Sequence, residues 1–134
     1  MRYLRSIPLF TWLLIVLNVV VFASDQALET VIINVPLISG AQFVLDLGHL
    51  LLMIGVVVLY FEIIKATRTT TASVVDHGLS TLVFVVFLIE FITVKACGNA
   101  TFLAIAVMSL VDVVAGFTVT ISSAKRDLSL GAQP

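Results

Sequence analysis

Apolar residues arrive in four long blocks, 8–23, 43–64, 79–94 and 102–121, separated by shorter polar connections. Each block holds about 16 to 22 residues, close to the ~20 that carry an α-helix across a ~30 Å hydrocarbon core. The apolar positions are continuous and lack the in–out alternation of a barrel strand. A helix is then the form that satisfies its own backbone in lipid. The pattern predicts an all-α integral membrane protein, a single membrane domain over residues 1–134 built as a four-transmembrane-helix bundle. The end of the chain, 127–134, reads as a flexible tail.

Composition supports the same class. Hydrophobic residues make up 60% of the 134-residue chain and charged residues 11%. Soluble domains are about a quarter charged, so too little charge is present here to clothe a water-facing surface. A net charge of −1 gives no electrostatic basis for a nucleic-acid partner, and the expected partner is the lipid bilayer. The single cysteine, Cys97, excludes an intrachain disulfide and reads as a small buried residue, with a disulfide between chains as the alternative. No GxSxG, HExxH, Walker or dinucleotide fingerprint occurs, so the expectation is a non-enzymatic protein without a cofactor.

The seven basic residues fix a direction. Arg2 and Arg5 precede the first block, Lys65 and Arg68 follow the second, and Lys125 and Arg126 follow the fourth. Lys95 alone falls on the other side. By the positive-inside rule both termini and the 65–78 connection are cytoplasmic, and 24–42 and the turn after Lys95 face outward. Arg2, Arg5, the apolar stretch and Val-Phe-Ala before Ser24 also have the look of a cleavable signal peptide, against which a retained first helix is the preferred reading. In the outer connection, the apolar run 31–35 predicts a segment lying at the membrane interface, with an irregular loop as the alternative. Pro36 and Gly40 punctuate it.

The expensive residues are the polar ones inside the blocks. Glu90, in FVVFLIEFITVK, costs about 2.5–3.5 kcal/mol on an insertion scale, and its apolar neighbours between Leu82 and Val94 return roughly 3–7 kcal/mol, so the helix still inserts. Counted from the outer helix ends, Asn18, His49, Glu90 and Asp112 fall at similar depth, one from each helix, with Asp46 one turn from His49. They are expected to form one buried polar cluster with Asp46 at its mouth. Hydrogen-bonded glue between helices is the leading reading of that cluster. A proton or cation pathway through Glu90 and Asp112 with His49 as relay is the second. A bound metal or other ligand is the third, although no diagnostic spacing supports a metal. Lys95 lies about 140° round the helix from Glu90 and is expected to snorkel to the outer interface instead of pairing. His77 reads as a helix-end polar residue, too far in depth from His49 for the two to share a haem. The sequon formed by Asn99, Ala100 and Thr101 lies too near the membrane surface to count for much.

At the cytoplasmic face, Glu62 can pair with Lys65 one turn on. Tyr60 and Phe61 match an interfacial belt. With Arg68, Lys125 and Arg126, the Glu62–Lys65 pair forms an expected anchoring set for anionic lipid. Packing faces are marked by small residues: Gly48 and Gly55 with Glu62 at heptad spacing on the second helix, and Ser109, Asp112, Gly116 and Thr120 on the fourth. The second helix thus has two stripes, the glycine stripe and one through Asp46, His49, Met53 and Tyr60. A bundle needs one, which leaves the other for a homodimer or a larger membrane complex.

The motif LYFEIIK, the short loop after it, two further helices and the basic stop SSAKRD make residues of about 50 to 127 resemble the phosphate-starvation-inducible, PsiE-type family of small bacterial inner-membrane proteins. The resemblance implies four helices with both ends cytoplasmic, placement in the bacterial inner membrane, and no catalytic residues. The leading function is therefore that of an accessory or assembly subunit, or a homo-oligomer. A proton- or cation-conducting element and a ligand-binding subunit are the alternatives.

Overall fold

The protein is seen here in a computed structural model that describes residues 7–68 and 73–132. Its elements run α1 (Leu9–Ala23), a 3-10 turn (Ala27–Glu29), β1 (Val31–Pro36), β2 (Gln42–Asp46), α2 (Leu47–Thr67), α3 (Ser73–Thr93), a second 3-10 turn (Lys95–Cys97) and α4 (Ala100–Gly131). Three helices, α2, α3 and α4, are long and apolar enough to cross a membrane, and α1 is a shorter apolar helix. At 1.5 Å per residue, the 21 residues of α2 or α3 extend about 32 Å and the 15 residues of α1 about 22 Å.

Helix starts are set by caps. Asp46 ends β2 and accepts the backbone N–H of His49 at 2.8 Å, opening α2. Asn99 accepts the N–H of Phe102 at 2.8 Å and donates to the Ala96 carbonyl, opening α4. Such caps satisfy backbone donors that the first turn leaves without partners. The same Asn99 is the sequon asparagine, and its amide is already engaged at both ends.

Several boundaries differ from the sequence expectation, among them the start of α3, which lies at Ser73, six residues before the apolar block at 79–94. Residues 43–46 belong to a strand, so α2 begins at Leu47. The segment expected at the interface is an antiparallel hairpin, in which Ile33 pairs with Leu45 and Val35 with Phe43. Val, Ile and Phe crowd these strands, as a pleated surface favours. The turn closes with Gly40 at φ 86, a left-handed conformation for which glycine carries no Cβ penalty, and with Leu37 N–H donating to Ala41 O at 2.8 Å. Finally, the tail expected to be flexible is helical through Gly131. Residues 121–130 contain neither Gly nor Pro, so nothing stops propagation until that glycine.

The helices run alternately up and down. The core is built from Phe10, Leu17, Phe87, Phe102 and Ile105, all fully buried, with Phe87 and Phe102 meeting edge-to-face at 5.6 Å. Gly48 and Gly55 turn the glycine stripe of α2 toward α4, where an added Cβ at Gly55 would stand 2.8 Å from Met108 Sδ. Ser109 and Gly116 are buried on α4. The second α2 stripe, His49, Met53 and Tyr60, faces outward.

Gly116 is the tightest of these contacts, because an added Cβ would lie 2.5 Å from His77 Nδ1. The His77 ring cannot swing away without breaking its bond to Thr120, at 2.7 Å. Overpacking of this kind costs about 1–3 kcal/mol. Gly78, one residue past His77, has open space around it. Thermal unfolding in detergent should therefore show Gly116→Ala clearly destabilised. Gly78→Ala should be neutral or slightly stabilised, by up to about 1 kcal/mol, from helix propensity alone.

Candidate functional site

The structure divides the expected polar cluster into three separate groups. At the hairpin end, Asn18 Nδ2 donates to Glu90 Oε2 at 2.8 Å and to its own helix at Leu14 O. The Cys97 thiol lies 4.0 Å from Asn18 Oδ1 and is buried. Burial pushes that thiol above the usual range and the Glu90 carboxylate adds to the effect, so Cys97 has the character of an inert interior thiol. Lys95, on the turn after α3, is exposed and forms no ion pair with Glu90 among the described residues.

Asp46 and His49 form a separate pair, with His49 Nδ1 2.7 Å from Asp46 Oδ1. Both border an open cavity of about 770 Å³ between the hairpin base and the ends of α1 and α4, whose polar lining includes Asp25, Glu29 and Lys95. Neither residue joins Asn18 and Glu90 in a bonded network. The His49 side chain is 67% exposed, so it does not serve as a relay within the helices.

Asp112 is the clear departure. It lies 12 residues into α4, about 18 Å from the helix start, whereas Glu90 is three residues from the end of α3, about 5 Å in. Asp112 therefore sits more than a full turn deeper and meets a different set of residues. Its neighbours are Glu62 and Lys65 on α2 and Asp76, His77 and Ser80 on α3, around a small void of about 20 Å³.

Glu62 likewise departs from its expected place in the surface anchoring set. It is 4% exposed and accepts the backbone N–H of Leu9, the first residue of α1. Its other oxygen stands 3.8 Å from Lys65 Nζ. The interior position follows from its heptad spacing with Gly48 and Gly55, which places it on the α4-facing stripe. Arg68, Lys125 and Arg126 are exposed, and Lys65 is partly so.

His77, which reads from the sequence as a helix-end polar residue, lies four residues inside α3 and is buried at 7% exposure. Its Nε2 hydrogen-bonds with Thr120 Oγ1 at 2.7 Å, and the same hydroxyl oxygen lies 3.0 Å from Gly116 O, one turn back on α4. The sequence did hold a signal for this site: the α4 stripe of Ser109, Asp112, Gly116 and Thr120 needs a polar partner, and His77 with Ser80, three residues on, supplies one.

Among the described residues, no three His, Cys, Asp or Glu side chains converge in a geometry that could hold a metal ion. No family model matches this chain, and no curated protein or solved structure matches it.

Two tests address the hairpin-end pairs. Asn18→Leu leaves the partly buried Glu90 without its amide donor, which costs up to about 1–3 kcal/mol, the loss found when a fully buried partner is left unsatisfied. The double variant Asn18→Leu/Glu90→Leu should recover much of that loss, giving a coupled double-mutant cycle in unfolding experiments. At the α2 cap, the His49 backbone N–H holds Asp46 below the ordinary carboxylate range. Partial burial opposes this, and the His49 ring adds to the lowering. A depressed folded pKa means the stabilisation is complete above the ordinary carboxylate range and is lost as pH falls through the lowered value. Asp46→Asn should keep the cap while flattening that acid limb of the stability–pH profile.

Proposed function

We propose that this protein is a non-enzymatic membrane assembly unit that pairs with a second copy of itself through the hairpin of β1 and β2. The supporting observation is the hairpin's surface. From Val31 to Leu45 it carries no charged residue. Val31, Ile32, Ile33, Val35, Phe43 and Val44 are nevertheless all exposed, and Ile38 at the tip is fully so. Exposed edge strands are normally protected by charges, bulges or cover. Here such devices are confined to the strand ends, an irregularity near Ile32, Pro36 at the end of β1 and Asp46 at the end of β2, and the apolar stretch between them is left open. Water disfavours the apolar faces, and hydrocarbon disfavours the open backbone edges. Edge-to-edge pairing with an identical hairpin meets both demands, and a two-fold axis makes such pairing self-complementary.

In the same reading α1 completes a four-helix, membrane-crossing bundle. Lys65, Arg68, Lys125 and Arg126 stand at the end opposite the hairpin, which supports a cytoplasmic placement of that end and of both termini. The resemblance noted at LYFEIIK and SSAKRD favours a bacterial inner membrane.

Cross-linking tests the pairing. Single cysteines at Ile33 and Val44, oxidised in native membranes, should give a disulfide-linked dimer from at least one of the two strands. The unmodified chain is the control, because its Cys97 is buried. Monomer alone from both variants, with a hairpin probe quenched by lipid-borne quenchers, would instead make the hairpin an interfacial anchor and reject self-assembly through it.

A further inference from the structure

The void beside Asp112 has the attributes of an occupied site. Asp112 is 4% exposed, and its Oδ2 has no hydrogen-bond partner among the described residues. Asp76 Oδ1, on α3 across the same void, is also buried without a partner. An oxygen taken out of water in this state carries its full desolvation cost until a hydrogen is supplied. The void of about 20 Å³ exceeds the ~10–15 Å³ that one water needs, and it offers polar partners on two helices.

The surrounding charges extend the argument. Facing Asp112 from α2 are Glu62 and Lys65, and from α3 Asp76, His77 and Ser80. The Lys65 ammonium lies nearest Glu62, and the Leu9 N–H is also directed to Glu62. The Nε2 of His77 is committed to Thr120. Among the described residues, the one cation lining the space that Asp76 and Asp112 face is therefore Lys65, which is already paired with Glu62. Like charges sharing a site repel, and one proton between them removes the repulsion. The geometry of three or more ligands that a metal ion would need is absent among the described residues.

We infer that this pocket is a proton-binding site, in which one water and one proton are shared between Asp112 and Asp76. Occupation is a simple transfer. A hydronium ion entering from the Lys65 side, where that side chain is 30% exposed, gives its proton to a carboxylate oxygen. A carboxylic acid forms, and the water left behind fills the void. Ser80 and the His77–Thr120–Gly116 chain hold α3 and α4 at the spacing that keeps the void open. The inference does not rest on the hairpin pairing, and it concerns a different end of the molecule.

Infrared spectroscopy of the full chain in lipid nanodiscs at neutral pH tests it. The expected result is a protonated-carboxyl band, identified by its downshift in D2O. That band should be lost in Asp112→Asn, displaced in Asp76→Asn and unchanged in Glu90→Gln. Should Asp112→Asn fail to insert, Asp112→Glu retains an acid at the position and must still move the band. A spectrum with no protonated-carboxyl band would overturn the inference. So would a band indifferent to both aspartate positions, or a proton appearing in imidazole bands in place of carboxyl bands, which would assign it to His77.

Discussion

The contact between Glu62 and the first N–H of α1 governs the arrangement of the helices. A carboxylate inside an apolar bundle is costly, and so is a helix start whose cap residue, Pro8, offers no side-chain acceptor. Each relieves the other. Glu62 receives a backbone donor at the positive end of the α1 dipole, and α1 receives an acceptor from a neighbouring helix. The level of α1 along α2 is thereby set. Asn18 lies nine residues beyond Leu9, about 14 Å further toward the hairpin, and at that height it reaches Glu90. Shifting α1 by one turn would leave both acidic residues without their donors at once.

The sequence reveals the helices more readily than their relative heights. Continuous apolar blocks and the absence of alternation are local properties, and α1 to α4 each lie within or across one of those blocks. The glycine stripe and the α4 stripe are also local, and they point to the faces that pack. Depth is not local. The ends of apolar runs are poor markers of helix ends, because the Asn99 cap starts α4 two residues early and the Asp46 cap starts α2 four residues late. By the block ends Glu90 stands four residues in and Asp112 ten, and the helix ends widen this to three and twelve, so the two carboxylates never share a level and Asp112 belongs with His77. The hairpin was obscured for a related reason. A short run such as VIINV suits an interfacial helix or a strand equally well by periodicity. The left-handed turn at Gly40 and the pairing across it decide the matter only in three dimensions.

Asp46 illustrates how one residue can be correctly noticed and wrongly placed. Its spacing to His49 does put the two together, and their contact is real. The spacing alone suggests two positions on one helix face, whereas Asp46 precedes the helix and caps it. A cap must sit where the chain changes from strand to helix, outside the helix interior. The pair accordingly belongs to the hairpin base and the open cavity beside it, and it joins the surface that a second hairpin would approach.

The separation of the two buried polar sites bears on what the bundle can do with charge. Glu90 and Asp112 are divided by a layer in which Phe87, Phe102 and Ile105 are fully buried. Phe87 lies one turn from Glu90 on α3, and Ile105 lies two turns from Asp112 on α4. Ser109, the buried polar residue nearest that layer on α4, has a hydroxyl without a partner, so no bonded chain runs through it among the described residues. A proton moving between the sites would have to cross packed aromatic and aliphatic side chains with neither a donor nor an acceptor. Packing of this density makes each polar site a closed island. Among the described residues, the polar surroundings of Asp112 lead to the side on which Glu62 and Lys65 lie, and the side-chain partner of Glu90 is Asn18. The arrangement suits a protein whose buried charges register helices and hold a proton in place, and it works against a conduit running from one end of the bundle to the other.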